Sequence, residues 1–262
     1  MSMSLTGRKS LVFGVLTETS IGFNIAAAAM KAGADVILAN APGRPWAIMS
    51  RVSHRLPKVP LVCMSADVTK PGDLQSMAEE IQRDYWKSLD GVVHAVAFAP
   101  QDALGGNFLN TPFESVSTAM NVSAFSLKAL TASMLPLLEK SEFGASVVSL
   151  TFNAGVAWPV YDWMGPTKAA LESVNHYLAR DLGPKGIRVN AVDSGPITTM
   201  AGESIPGFDE LAKVWSERAP LGWDTSDATP VADTVAFLLS DAARAITGQV
   251  LHVDGGFSAV GA

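Results

Sequence analysis

Short apolar runs alternate with longer amphipathic stretches along the whole of this chain, and that alternation constrains its fold more than any other feature. Leu11-Val12-Phe13, Asp35-Val36-Ile37-Leu38, Leu61-Val62-Cys63-Met64 and Gly91-Val92-Val93-His94-Ala95-Val96 read as strands one to four. Ala145-Ser146-Val147-Val148-Ser149-Leu150, Ile187-Arg188-Val189-Asn190-Ala191-Val192 and Val250-Leu251-His252-Val253 read as strands five to seven. Helical periodicity fills residues 21–31, 74–86, 122–138, 169–182 and 231–239 between them. Strands that are apolar at consecutive positions are buried on both faces, and the helices that follow them supply the cover. Right-handed crossovers then predict an α/β fold: a Rossmann-type, doubly wound parallel sheet of about seven strands. No linker, repeat or low-complexity tract breaks residues 1–262, so the expectation is a single domain. The longest irregular stretch, 194–229, holds Pro196, Pro206 and Pro220 among Ile197, Met200, Ile205, Phe208, Leu211 and Trp215. A long apolar loop of that kind serves a site, here a substrate-binding loop.

Composition narrows the function classes. A hydrophobic fraction of 48% with 17% charged residues describes a compact, enzyme-like body. The net charge of -6 argues against a nucleic-acid surface. The lone cysteine, Cys63, rules out an internal disulfide and a cysteine-built metal site, and its apolar surroundings suggest a buried structural thiol. No metal is expected. Met1 to Thr6 lacks a charged start followed by an apolar core, so no signal peptide is expected. No run of about 18 apolar residues occurs, which argues against a membrane span. A cytoplasmic location follows as an expectation.

Two residues carry the chemistry. Tyr161 and Lys168 stand seven positions apart, close to two helical turns, so a helix would put both on one face. An ammonium beside a phenol is expected to lower the phenol's pKa and to favour negative charge on a bound oxygen. That suits reduction of a carbonyl or of a carbon–carbon double bond conjugated to one. The same spacing also describes an ordinary helix face. Gly165-Pro166 lies between the pair, so the helix should begin close to Tyr161 or kink near Pro166.

Strand one runs into a turn from Gly14 to Gly22, with Ser20 and Ile21 opening the next helix. A glycine there lets backbone approach a pyrophosphate, and the helix N-terminus attracts phosphate. The turn lacks a full G-x-G-x-x-G and also fits a plain strand-to-helix connection. Asp67, after strand three, could accept a hydrogen bond from an adenine amino group or could simply be an acid preceding a helix. Strand two ends without the acid that grips a ribose hydroxyl, and Arg44 nearby is either a 2'-phosphate contact or a solvated charge. NADH and NADPH both stay open at this point. His94 and His252 sit inside apolar strands and read as satisfied core histidines; Trp163 and Trp223 read as packing.

Taken together, Gly14 with Ser20-Ile21, Ala66-Asp67-Val68, Tyr161-x6-Lys168, Gly195-Pro196-Ile197-Thr198-Thr199 and Val253-Asp254-Gly255-Gly256 resemble the short-chain dehydrogenase/reductase superfamily. Six residues between Tyr and Lys, instead of that superfamily's usual three, resemble its enoyl-acyl-carrier-protein reductase branch. His94 to Pro100, Asn121 to Ser126, Ala170 to Asn175 and Arg218 to Trp223 extend the likeness, which is nearest to the mycobacterial long-chain type. The resemblance implies reduction of a trans-2-enoyl thioester in fatty acid biosynthesis, on acyl carrier protein, by NADH in preference to NADPH. It implies Tyr161 as donor to the thioester carbonyl, Lys168 on the nicotinamide ribose and Phe152 flanking the substrate, with Met164 and Met200 lining its path. Gly14, Ser20, Ile21, Asp67, Val68, Ala97, Ile197 and Thr199 would hold the cofactor. Thr199 could equally cap a loop helix. The tail Gly248 to Gly256 resembles a subunit-packing strand, implying a homotetramer. Ala95, Ala97 and Thr151 depart from the mycobacterial pattern, and the 200–218 loop is shorter. Other readings of the same residues are a ketone or imine reductase, or a catalytically silent nucleotide-binding subunit.

Overall fold

The computed structural model describes residues 3–261. Seven strands form one sheet in the order β3-β2-β1-β4-β5-β6-β7, and every neighbouring pair is parallel. They are β1 (Lys9–Phe13), β2 (Asp35–Asn40), β3 (Cys63–Ser65), β4 (Gly91–His94), β5 (Ser146–Thr151), β6 (Arg188–Ser194) and β7 (Val250–Val253). All seven expected strands are present, shifted by a few residues at their ends. The helices are α1 (Ile21–Lys31), α2 (Arg44–Val52), α3 (Pro71–Glu80), α4 (Phe113–Met120), α5 (Ser126–Leu138), α6 (Met164–Leu182), α7 (Met200–Glu203), α8 (Phe208–Arg218) and α9 (Thr229–Leu239). Sequence periodicity did not expose α2 or α4, and the stretch read as irregular, 194–229, holds two helices, α7 and α8. α2 has only nine residues, fewer than the window over which helical periodicity registers, and buries only Met49. A π turn at Asn121–Phe125 joins α4 to α5, which shifts the phase of the apolar face between them.

Strand residues split by parity between two cores. Leu11, Phe13, Ile37, Ala39, Val92, Val147 and Val189 pack with residues of α3, α5 and α6 on one face. Val12, Val36, Leu38, Val93, Val148 and Val192 pack with α1, α9 and Met49 on the other. Each such buried side chain contributes about 1.5–3 kcal/mol relative to exposure, so slipping a strand by one residue would exchange two whole layers. Strand order reverses between β1 and β4. Successive helices leave the sheet there on opposite faces, and the gap beyond the strand ends is where such folds bind ligands.

Candidate active site

At the β1 end the crevice is built mainly from backbone. Gly14 has φ 105°, and a Cβ there would lie 2.1 Å from the Ala95 carbonyl oxygen beyond β4. Only glycine fits between the two strand ends. The Ser20 hydroxyl then ties the following turn together. It accepts from the amides of Leu16 (3.2 Å) and Phe23 (3.3 Å) and donates to the Thr17 carbonyl (2.6 Å). Ser20 is thereby the N-cap of α1, with Ile21 as its first residue. The open N-terminus of α1 faces the switch point, so this cradle fits the pyrophosphate of a dinucleotide.

The other expected cofactor residues lie on the loops after β2, β3, β4 and β6. Asp67 accepts from the Thr69 amide (2.9 Å) and hydroxyl (2.7 Å), and these bonds hold its carboxyl below the usual range. It is therefore an ionised acceptor whose Oδ2 is left with Lys70 at 3.6 Å. Val68 beside it is buried. Ala97 is exposed on the β4 loop, which Ser123 pins by accepting from the Phe98 amide at 2.8 Å and donating to its carbonyl at 2.9 Å. Ile197 is buried, and Trp223 lies flat against Gly195 while donating to the Pro196 carbonyl at 2.8 Å. Trp223 thus fixes the course of the Gly195-Pro196-Ile197 turn. Thr199 caps α7, accepting from the Gly202 amide at 2.9 Å. At the strand-two end, Asn40 donates to the Val15 carbonyl at 2.5 Å and accepts from the Ala41 amide at 2.7 Å. Arg44 is exposed at the start of α2.

Tyr161 is not on the helix that carries Lys168. It sits in the turn before α6, and Pro166 falls within the first turn of that helix, where a missing N–H costs nothing. The expectation that α6 would begin close to Tyr161 is met; the shared helix face is not. Two left-handed residues flank the tyrosine, Val160 (φ 58°) and Asp162 (φ 41°). Such backbone costs about 1–3 kcal/mol per residue and needs outside support. Asp162 supplies it by accepting from the amides of Gly106 (2.6 Å) and Asn107 (2.9 Å), while the Gly105 amide donates to the Val160 carbonyl at 2.9 Å. Trp163 stacks on Phe108 at 4.9 Å and clamps the same loop. Tyr161 is buried, packing edge-on to Phe152 at 5.1 Å and clustering with Met164 and Leu104.

Lys168 is also buried, and its ammonium donates to the Leu150 carbonyl at 2.9 Å. Burial pushes its pKa down to about 8, opposed by Glu172 and Asp193. The phenol of Tyr161 is pushed up instead, by burial first and by Asp193 second. The expected lowering by Lys168 is thus overturned, because burial and a nearby carboxylate dominate. A phenol that keeps its proton is a hydrogen-bond donor, which is the form a developing oxyanion needs.

Beyond Phe152 stands a wall of rings. Trp215 stacks on Phe257 at 3.9 Å and meets Trp158 at 4.7 Å, and Phe152 lies 5.4 Å from each tryptophan. Met200, on α7, is exposed at the open side of this region. Gly14, Phe152, Tyr161, Lys168 and Ile197 all gather at the carboxyl end of the sheet.

The family model described as Enoyl-(Acyl carrier protein) reductase matches residues 14–258. The chain belongs to that family. It is 40% identical over 271 aligned residues to the enoyl-[acyl-carrier-protein] reductase [NADH] of Mycolicibacterium smegmatis, with 98% of each chain covered. The protein of the same name from Mycobacterium avium is 38% identical, again with 98% of each covered. The Bacillus subtilis enoyl-[acyl-carrier-protein] reductase [NADH] FabI is 36% identical over 258 residues, with 98% of each chain covered.

Within this enoyl reductase fold, sequence reasoning passed over Ser123, Asp162, Glu172 and Asp193, and misread His252. His94 is a core histidine, with Nε2 2.7 Å from the Ser126 hydroxyl. His252 is not: its side chain is 49% exposed and Nδ1 lies 2.5 Å from the buried Asp193 carboxylate. No local motif marks that pair; only the register of β6 against β7 brings it together.

Proposed function

We propose that this chain reduces trans-2-enoyl thioesters carried on acyl carrier protein, with NADH, in fatty acid biosynthesis. The observation that carries the reading is the buried Tyr161 phenol beside Phe152, with the buried Lys168 ammonium behind it, at the carboxyl end of the sheet. When bound, the dinucleotide would supply a hydride to the β-carbon of the substrate, and a proton then reaches the α-carbon to complete the saturated acyl thioester. Tyr161 donates to the thioester carbonyl oxygen, on which negative charge then builds; one such donor is worth roughly 3–4 kcal/mol. Lys168 holds the nicotinamide ribose hydroxyls, and Phe152 flanks the enoyl group. Gly14, Ser20 and Ile21 cradle the pyrophosphate, Asp67 and Val68 receive the adenine, and Ala97, Ile197 and Thr199 bound the remaining cofactor. Met164 and Met200 line the substrate path, and the aromatic wall keeps water from the reacting carbons. Relatives named as NADH enzymes support NADH, and the occupied Asn40 side chain leaves the strand-two end without a ribose-gripping acid.

Incubating the protein with crotonyl and dodecenoyl thioesters while following NADH and NADPH oxidation tests this reading. Oxidation with a ketone or imine alone, or binding without turnover, would replace it by a different reductase or a silent subunit.

We further infer that residues 1–262 act as one reductase domain, with 194–229 binding substrate, in a cytoplasmic homotetramer. Two features support the assembly. β7 is an open sheet edge, and an open groove of about 420 Å³ between α4, the Asn121–Phe125 turn and α6 is lined by Met120, Phe125, Ala170 and Val174. Light scattering of the purified protein reads the state directly, and a monomer mass at working concentration would sink that inference. Among the described residues no helix is long and apolar enough to cross a membrane. Cell fractionation checks the location.

A further inference from the structure

A buried ammonium gives up its proton unless a counter-charge holds it. Lys168 is 5% exposed and donates to one carbonyl, so the charge it needs must come from elsewhere. Two carboxylates act on it: Glu172, one turn further along α6, and Asp193 on β6. Their placement follows from the sheet. Parallel register pairs Thr151 with Asp193 and Asp193 with His252, so the three form a single rung across β5, β6 and β7. Side chains on one rung share a face. Here it is the face under α6, since the Thr151 hydroxyl donates to Glu172 Oε1 at 2.8 Å. Asp193 is 2% exposed, and its carboxylate oxygen is hydrogen-bonded to His252 Nδ1 at 2.5 Å.

We propose that Asp193, clamped by His252, is a positioning residue for Lys168 of the catalytic pair: its buried carboxylate, on the rung next to the Leu150 carbonyl that takes the ammonium, is the counter-charge that keeps Lys168 protonated. The inference rests on the enoyl reductase reading of that pair. Asp193 is distinguished from Glu172 by its burial and its partner: it is 2% exposed and held by His252, whereas Glu172 is half-buried and takes the Thr151 hydroxyl. Its own charge has to be maintained. Burial pushes the carboxyl up to about 6, His252 pulls it back, and Asp254 and Glu172 push it up again. The His252 contact is therefore what favours its ionised form. His94, on β4, is buried against Ser126; burial, and then Lys168, hold its pKa at about 3, so it adds no competing charge.

Removing the Asp193 charge takes away something that favours the ammonium, so Lys168 must lose its proton at lower pH. The test uses the whole protein without cofactor, labelled with carbon-13 at the lysine ε-carbon and followed by NMR against pH. The Lys168 signal is assigned by its loss in Lys168→Arg. In Asp193→Asn the Lys168 midpoint should fall by about one pH unit. A midpoint equal to wild type overturns the proposal. If Asp193→Asn does not fold, His252→Gln at the sheet edge decides. With carbon-13 aspartate, the protonation midpoint of Asp193 should rise in that variant; an unchanged midpoint overturns the proposal equally. Neither readout needs turnover. A protein that reduces no enoyl thioester yet shows the shifted midpoint defeats the functional reading and keeps the electrostatic one, and the reverse result does the opposite.

Discussion

The two ends of this crevice are made from different materials. At the cofactor end the shape belongs to the main chain: a glycine wedged against a carbonyl, a serine tying three backbone groups, and the open amides of α1. At the substrate end it belongs to side chains that arrive from separate elements. Phe152 follows β5, Trp158 and Tyr161 precede α6, Trp215 lies on α8, and Phe257 comes after β7. A backbone cradle is specified by a few neighbouring residues and tolerates little. A side-chain wall is specified by the whole fold and can be remodelled one ring at a time, so acyl selectivity can change while cofactor binding persists.

The largest effects should come from striking each end at its own weak point. Gly14→Ala forces a Cβ to 2.1 Å from the Ala95 carbonyl oxygen at φ 105°. The backbone conformation costs about 1–3 kcal/mol. Overpacking against main chain that cannot rotate away adds about 1–3 kcal/mol more. Urea unfolding should show the sum, and NADH affinity should fall with it. A variant of wild-type stability would mean that the two strand ends can part freely. Trp215→Ala should cost about 3–5 kcal/mol, because its 1% exposed ring is stacked on Phe257 and packed at a tilt against Trp158. What separates the two ends is the cofactor: at temperatures where the Trp215 variant is folded, NADH should still bind at close to wild-type affinity. If both properties collapse together, the ends are one cooperative structure and the contrast fails.

Tyr161→Phe is the finer cut. It keeps the ring on Phe152 and removes one hydroxyl, so stability and NADH affinity should hardly move. Turnover should fall about 10²–10³-fold, the effect of losing one oxyanion donor. Stopped-flow hydride transfer with crotonyl thioester gives the number. Full activity in the variant would remove the tyrosine from the chemistry.

That same division explains how much could be read from the chain. Parity and periodicity mark strands and the helices that cover them, since both are local properties of a buried sheet. Gly14, Ser20 and Ile21 stand out for the same reason: they lie within one short turn whose job is done by the backbone. Tyr161 and Lys168 were legible as a spacing, yet their shared helix face was not real, because two left-handed residues and Asp162 hold Tyr161 in a turn. Asp193 and His252 were invisible, 59 positions apart and joined only by sheet register. α2 was invisible for the opposite reason, its nine residues being too short a stretch for helical periodicity to register.

The smallest expected effect sharpens the boundary between the two ends, because Thr199 stands where they meet. The resemblance assigns its hydroxyl to the cofactor phosphates, whereas the structure has it accepting from the Gly202 amide at 2.9 Å as the cap of α7. A hydroxyl can accept one bond and donate another, so both roles fit the same atom. They differ in what each variant loses. A cap alone predicts that Thr199→Ala costs about 1 kcal/mol, felt as fraying of α7. NADH affinity would then stay within a factor of about two, well short of the tenfold that about 1.4 kcal/mol represents. A phosphate contact adds a loss of NADH affinity that Thr199→Ser restores and Thr199→Asp does not, because aspartate caps a helix but repels an anion. Calorimetric titration of NADH into the three variants separates these outcomes. Equal affinity in all three would assign Thr199 to the loop, and the backbone-built cradle would then end at the carbonyls of Pro196 and Ile197.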